Sequence, residues 1–293
     1  MKAARWLALV VRRVRRLRAL RAEALVLQFG GAAGTLASLG DQGMRVTELL
    51  AAELGLSAPD LPWHTERDRI AQIAAELGIV AGAMAKIAGD LLLLAQSEIG
   101  EVSEAALPGK GGSSALPQKR NPVDAVFAVA SARLALSEVP LLLGAMAQEH
   151  ERAAGAWQSE WAALPRLFCA TAGAVARVRS AVAELVVHPD QMRANLERGG
   201  GLILAEALST ALAPRLGQPE AQRIVQDACA RAIEEGITLR QAAGEDATVR
   251  AVLPTEALER AFEPSAYLGV SDSLIDAALV QFKDLKRVGG SAT

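Results

Sequence analysis

The sequence predicts an all-α protein: a long central helical bundle followed by a smaller helical C-terminal domain. Three observations carry this expectation. Apolar residues recur at three- and four-residue steps over stretches of about 25 to 35 residues. Alanine and leucine dominate while aromatic residues make up only 3% of the 293, so packing falls to side chains of high helix propensity. Glycine and proline cluster between the periodic stretches and punctuate them. With 51% apolar and 22% charged residues, the chain has ample material for a core and does not read as disordered.

The first helix is expected from about residue 2 to 28, stopping before Gly30-Gly31. Trp6, Val10, Val14, Leu17, Leu20 and Ala24 share one face, and Arg5, Arg12, Arg16 and their basic neighbours point away. An acid-free, arginine-rich start also resembles a targeting peptide, but the pattern runs on to Leu27 without a cleavage-type break. The arginine density excludes a membrane span there. Residues 32–65 are turn-rich, with a short helical pattern over Val46 to Leu54 and turn marks at Ser57, Pro59 and Pro62. A second long helix follows from Glu66 to about Ile99. The stretch from Glu104 to Arg120 contains two prolines and three glycines, so it is a loop of about 17 residues, longer than most connections. A third helix starts at Asn121-Pro122, an N-cap residue followed by proline at the first helical position, and runs to about His150. A fourth covers about Leu164 to Leu185. Beyond Pro189 the helices shorten and break at 199–201, 214–217 and 244–246. The expected division is a bundle over 1–187, carrying the loop 104–121, and a C-terminal domain over 188–293.

A formal net charge of −2 provides no global field for nucleic acid or anionic lipid, so neither is an expected partner. Cys169 and Cys229 lack CxxC spacing, which suits a reducing, cytoplasmic compartment and argues against a disulfide framework or a zinc site. His64, His150 and His188 are scattered and form no metal-binding motif.

Chemistry concentrates in the loop. Pro108 to Pro122 combines glycines, the hydroxyls of Ser113 and Ser114, the charge of Lys119 and a helix N-terminus. Glycines allow positive φ, so that backbone N–H groups can converge on an anion. Lys119 and the start of the next helix add positive potential, which makes carboxylates the natural guests. An arbitrary Gly-Gly-Ser-Ser stretch would read more simply as a flexible connection.

The run from Gly112 to Pro122, however, resembles the fumarase/aspartase superfamily signature Gly-Ser-Ser-x-Met-Pro-x-Lys-x-Asn-Pro, matching every specified position except one. Leu116 stands where the family usually has methionine, a volume-conserving exchange. The resemblance implies that Ser113 moves a proton beside a substrate carboxylate and that Ser114, Lys119 and Asn121 contact the substrate. Fumarases and adenylosuccinate lyases usually carry a glutamate five residues after the signature asparagine; Val126 stands there. Instead, Lys119-Arg120-Asn121-Pro122-Val123, Gln148 to Arg152, Trp157 to Trp161, Pro62 to Thr65 with Arg67 to Arg69, and Glu263 to Gly269 resemble the carboxymuconate cycloisomerase branch. That branch implies interconversion of 3-carboxy-cis,cis-muconate and 4-carboxymuconolactone in protocatechuate catabolism, without a metal or organic cofactor. It also implies a homotetramer with sites shared between subunits. A tricarboxylate substrate calls for several cations: Lys119 first, then Arg152, Arg69, Arg67 and Arg120.

Individual residues have competing readings. Arg152 is expected to close the third helix, as either a substrate ligand or a partner of the helix dipole. His150 is either a site residue or a helix-terminal histidine satisfied by carbonyls. His64 is loop packing or part of the pocket rim, and His188 is structural. Trp157 and Trp161, four apart, are packing anchors. Arg67 and Arg69 open a helix where cations oppose the dipole, a placement that an acidic partner would relieve. Family members typically carry an N-terminal domain with further site elements, and the resemblance implies that this chain opens inside the first long bundle helix. A different lyase of the superfamily, adenylosuccinate lyase-like, or a helical assembly subunit without turnover are the alternatives.

Overall fold

The computed structural model describes residues 1–105, 111–112 and 121–290, the side chains of 288–290 excepted. The described chain is helical apart from one two-stranded sheet, and it divides into two compact units. The first comprises Met1–Gln96, Val102–Val186 and Ala277–Thr293; the second comprises Ser97–Glu101 and Val187–Asp276.

In the first unit, α1 (Lys2–Ala24), α2 (Gly43–Leu54), α3 (Asp68–Leu94), α4 (Val123–Gly144) and α5 (Ala156–Ala183) follow in order. Strand β1 (Val102–Glu104) pairs with β2 (Leu185–Val187), a small sheet that apolar periodicity does not reveal. Helices α3, α4 and α5 pack on one another and α1 packs on α3. Small residues make this close packing possible. Ala74, Ala81 and Ala88 of α3, Ala125, Ala128, Ala132 and Ala135 of α4, and Ala174 and Ala181 of α5 are fully buried. A Cβ on Gly78 would sit 2.7 Å from Cγ2 of Val139. Polar ties fix the direction of α1 against α3: Trp6 Nε1 donates to Asp90 at 2.8 Å, and Arg13 pairs with Glu76 at 2.9 Å. The basic face of α1 is solvated as expected, although Arg15 and Arg18 reach the carbonyls of Gln281 and Leu285.

The structure moves several helix ends. Helix α1 stops at Ala24 because Val26 leaves to form a parallel bridge with Ser57, where Leu27 N–H donates to Ser57 O at 2.9 Å. Helix α4 stops at Gly144 rather than His150, and α5 starts at Ala156 rather than Leu164, with Pro165 inside it. Packing along α5 outweighs the backbone hydrogen bond that Pro165 forgoes. Pro140 is likewise carried inside α4.

In the second unit, α6 (Pro189–Arg198), α7 (Ala205–Leu216), α8 (Gln218–Glu235), α9 (Leu239–Glu245), α10 (Ala247–Val252) and α11 (Thr255–Ala261) follow, and α12 (Ser271–Gly290) begins there. Its core is Leu208, Leu212, Ile224, Val225, Leu239, Val249 and their neighbours. Thr238 and Asp246 cap α9 and α10 with their side chains.

Candidate active site

Ser113, Ser114, Lys119 and Arg120 lie outside the described residues. What is described is the stem of their loop. Asn121 donates to the carbonyl of Gly111 through its backbone N–H at 2.9 Å and through Nδ2 at 3.3 Å. Gly111 has φ +72°, and a Cβ there would lie 2.8 Å from Asn121 O, so this position requires glycine. Helix α4 begins one residue later than the sequence suggested, with Pro122 as its N-cap. The acceptor for its first N–H groups comes from Glu104: the carboxylate accepts from Asp124 N–H at 3.2 Å and Ala125 N–H at 2.9 Å. The helix N-terminus that looked free for a substrate carboxylate thus already holds one. Asp124, fully buried, accepts from Arg177 at 2.8 Å and from Ser180, fastening this end of α4 to α5.

The other expected cations lie at the opposite end of α4. Its 22 residues span roughly 33 Å at the α-helical rise, so one chain does not bring Asn121 together with Arg152. There a cleft of about 240 Å³ is lined by Gly30, Gly31, Pro62, His64, Thr65 and Arg152, among others. Arg152 does not close a helix: it sits in the connection between α4 and α5, after His150 and before Ala153, which have φ +48° and +57°. Its exposed guanidinium stands 5.7 Å from the Trp157 ring and reaches Gly31 O at 3.5 Å. His150 is exposed, and its carbonyl accepts from Thr65 Oγ1 at 2.8 Å. Arg69 stacks 5.2 Å from the Trp63 ring and is absent from the cleft lining.

Arg67 pairs with an acid of the chain itself. It is buried, and its Nε donates to Glu160 Oε1 at 3.0 Å while Nη2 donates to Oε2. Gln148 Nε2 adds a bond to Glu160 at 3.0 Å, and Arg67 Nη1 reaches His64 O at 3.3 Å. This is the acidic partner that the awkward placement of Arg67 demanded; Glu160 itself went unnoticed in the sequence. His64 packs edge-on to Trp157 at 4.5 Å between centroids, and Trp157 packs on Trp161 at 5.2 Å. Burial, then the Arg152 and Arg67 guanidinium groups, lower the His64 pKa, so the imidazole is neutral near pH 7. Its Nε2 is enclosed and has no hydrogen-bond partner among the described residues. Among the described residues no cluster of histidine, cysteine or carboxylates could hold a metal ion.

A lyase family profile matches residues 1–136, and an adenylosuccinate lyase C-terminus profile matches 201–278. The chain belongs to the fumarase/aspartase lyase superfamily. It is similar to the 3-carboxy-cis,cis-muconate cycloisomerase of Pseudomonas aeruginosa, with 47% identity over 96% of this chain and 61% of that protein. The crystal structure of the 3-carboxy-cis,cis-muconate lactonizing enzyme from Pseudomonas putida matches with a TM-score of 0.89 and 40% identity, covering 98% of this chain and 63% of that one. A nitrosuccinate lyase of Streptomyces davaonensis is 39% identical over 95% of this chain and 60% of its own length. The chain spans about three fifths of the length of these curated relatives.

Proposed function

We propose that this chain serves the interconversion of 3-carboxy-cis,cis-muconate and 4-carboxymuconolactone. The observation that carries the reading is the Gly112 to Pro122 run, set in a chain 47% identical to an enzyme named for that reaction. In lactone formation a carboxylate oxygen of the substrate bonds to an alkene carbon, and a proton is added to the neighbouring carbon beside another carboxylate. The reverse step removes that proton and breaks the C–O bond, without net oxidation. Ser113 moves the proton, and Lys119 holds the carboxylate on which charge accumulates. Asn121 and Arg152 supply further contacts to a trianion. Ultraviolet absorbance tests this: 3-carboxy-cis,cis-muconate should lose its diene band on mixing with the protein. An unchanged band, with nitrosuccinate consumed instead, would favour the other lyase chemistry among its relatives.

The separation of Asn121 from Arg152 supports a site completed by further copies of the chain, in a homotetramer. Two exposed heptad-spaced stripes also support it: Phe127, Leu134 and Leu141 on α4, and Trp161, Phe168, Val175 and Val182 on α5. Seven-residue spacing is the pattern by which helices supercoil around partners. Helix α4 is apolar and long enough to cross a bilayer by composition, yet only 22% of its most apolar window is buried here, so it needs a cover. Leu134 is 65% exposed. A Leu134→Glu substitution puts a charge at the centre of that cover, repeated in each copy, and should reduce the assembly to single chains in sedimentation velocity. An unchanged sedimentation coefficient would remove the stripe from the interface.

A further inference from the structure

We infer that Glu104 is a positioning residue that sets the stem of the Ser113 loop, a role that rests on the proposed reaction only for its effect on turnover. Four observations converge on it. Glu104 ends β1, which is held against β2, and the next residue, Ala105, donates its N–H to Glu184 O at 3.1 Å. Its carboxylate spans two successive N–H groups of α4, those of Asp124 and Ala125. The local N-cap, Pro122, has no side-chain acceptor to do this. Finally, Gly111 O accepts both donors of Asn121, three residues before Asp124.

Glu104 therefore acts as a helix cap from twenty residues upstream. A charged acceptor on first-turn N–H groups is favoured both by hydrogen bonding and by the helix dipole. The result is mechanical. The chain enters the loop at Glu104 and leaves it at Asn121, and one side chain joins the entry strand to the exit helix. The two described ends of the loop are thereby fixed to each other. Glu104 also occupies the helix N-terminus with its own negative charge, so the substrate carboxylate is left to Lys119 and Asn121.

Glu104→Gln tests this in the whole chain. The amide keeps one acceptor oxygen but turns an NH2 donor toward a backbone N–H and loses the charge. Amide hydrogen exchange at Asp124 and Ala125 should accelerate about ten-fold, the size of a lost helix cap, while exchange in α1 and the middle of α5 stays as in the parent protein. With 3-carboxy-cis,cis-muconate as substrate, kcat should fall about ten-fold or more with KM within two-fold. Glu104→Ala should show both effects at least as strongly. Unchanged exchange at Asp124 and Ala125 would overturn the inference, as would a uniform loss of protection across the unit. Faster exchange with kcat unaltered would overturn the link to turnover. A parent protein without turnover would count against the proposed reaction, and the exchange data alone would then decide the role of Glu104.

Discussion

Glu160→Ala is expected to cost the first unit about 3–5 kcal/mol, the typical loss when one member of a buried ion pair is removed. Arg67 is 8% exposed and Glu160 4%, so the stranded guanidinium would have little water to turn to. The same change deprives Gln148 Nε2 of one of its two acceptors and leaves it Ala145 O. The Trp63 ring, 5.4 Å from the guanidinium, does not replace a carboxylate. The α4–α5 connection should loosen with it, because Gln148 is held there, and Arg152 would lose its defined place beside Trp157. Urea unfolding followed by tryptophan fluorescence reads the effect directly, since the Trp63 ring lies 5.4 Å from the Arg67 guanidinium. A double replacement, Arg67→Met with Glu160→Leu, should recover much of the loss, because it leaves no buried charge unpaired. A loss below about 1 kcal/mol for Glu160→Ala would show that the pair is hydrated and behaves as a surface ion pair.

Ser113→Ala is expected to lower kcat on 3-carboxy-cis,cis-muconate by about 10²- to 10⁴-fold, the range for a positioned acid or base. KM should change little, because the charged contacts proposed for binding belong to Lys119, Asn121 and Arg152. A hydroxyl is a weak base in water, so its use here requires an environment that stabilises the alkoxide. Lys119 and the backbone N–H groups of a glycine-rich run are the groups available in sequence for that purpose. Progress curves at the diene wavelength, taken for both proteins at equal concentration, decide the matter. Equal rates would take the hydroxyl out of proton transfer and leave the run a binding element only.

The long helices and the loop between them were legible because their signals are local: 3.6-residue periodicity, glycine clusters and proline. The ends of α4 and α5 were not. Residues 145–154 are mostly good helix formers, and the chain leaves the helix there through contacts that periodicity does not report. His150 offers its carbonyl to Thr65, and Gln148 turns to Ala145 and Glu160. The early start of α5 at Ala156 was also missed, and Pro165 lies inside that helix. For the candidate site, motif spacing singled out a stretch most of which lies outside the described residues, and the distance from Asn121 to Arg152 follows from tracing α4, not from any local pattern. Glu104 and Glu160 were missed for a related reason. Each completes a contact with a residue 20 or 93 positions away, and a lone glutamate carries no mark of such a partner. The one available clue was Arg67, a cation at a helix start that required an acid somewhere.

Gly78 faces Val139 near the far end of α4, at a point where even one methyl group has no room. The atoms in the way belong to Val139, whose β-branched side chain has little χ1 freedom in a helix, and alanines line much of the rest of the α3–α4 contact. Added bulk at Gly78 is therefore expected to push α4 away from α3. The two ends of α4 lead to Asn121 and to the turn that holds Arg152, so a volume change in the interior would bear on both residues proposed to meet the substrate without touching either of them.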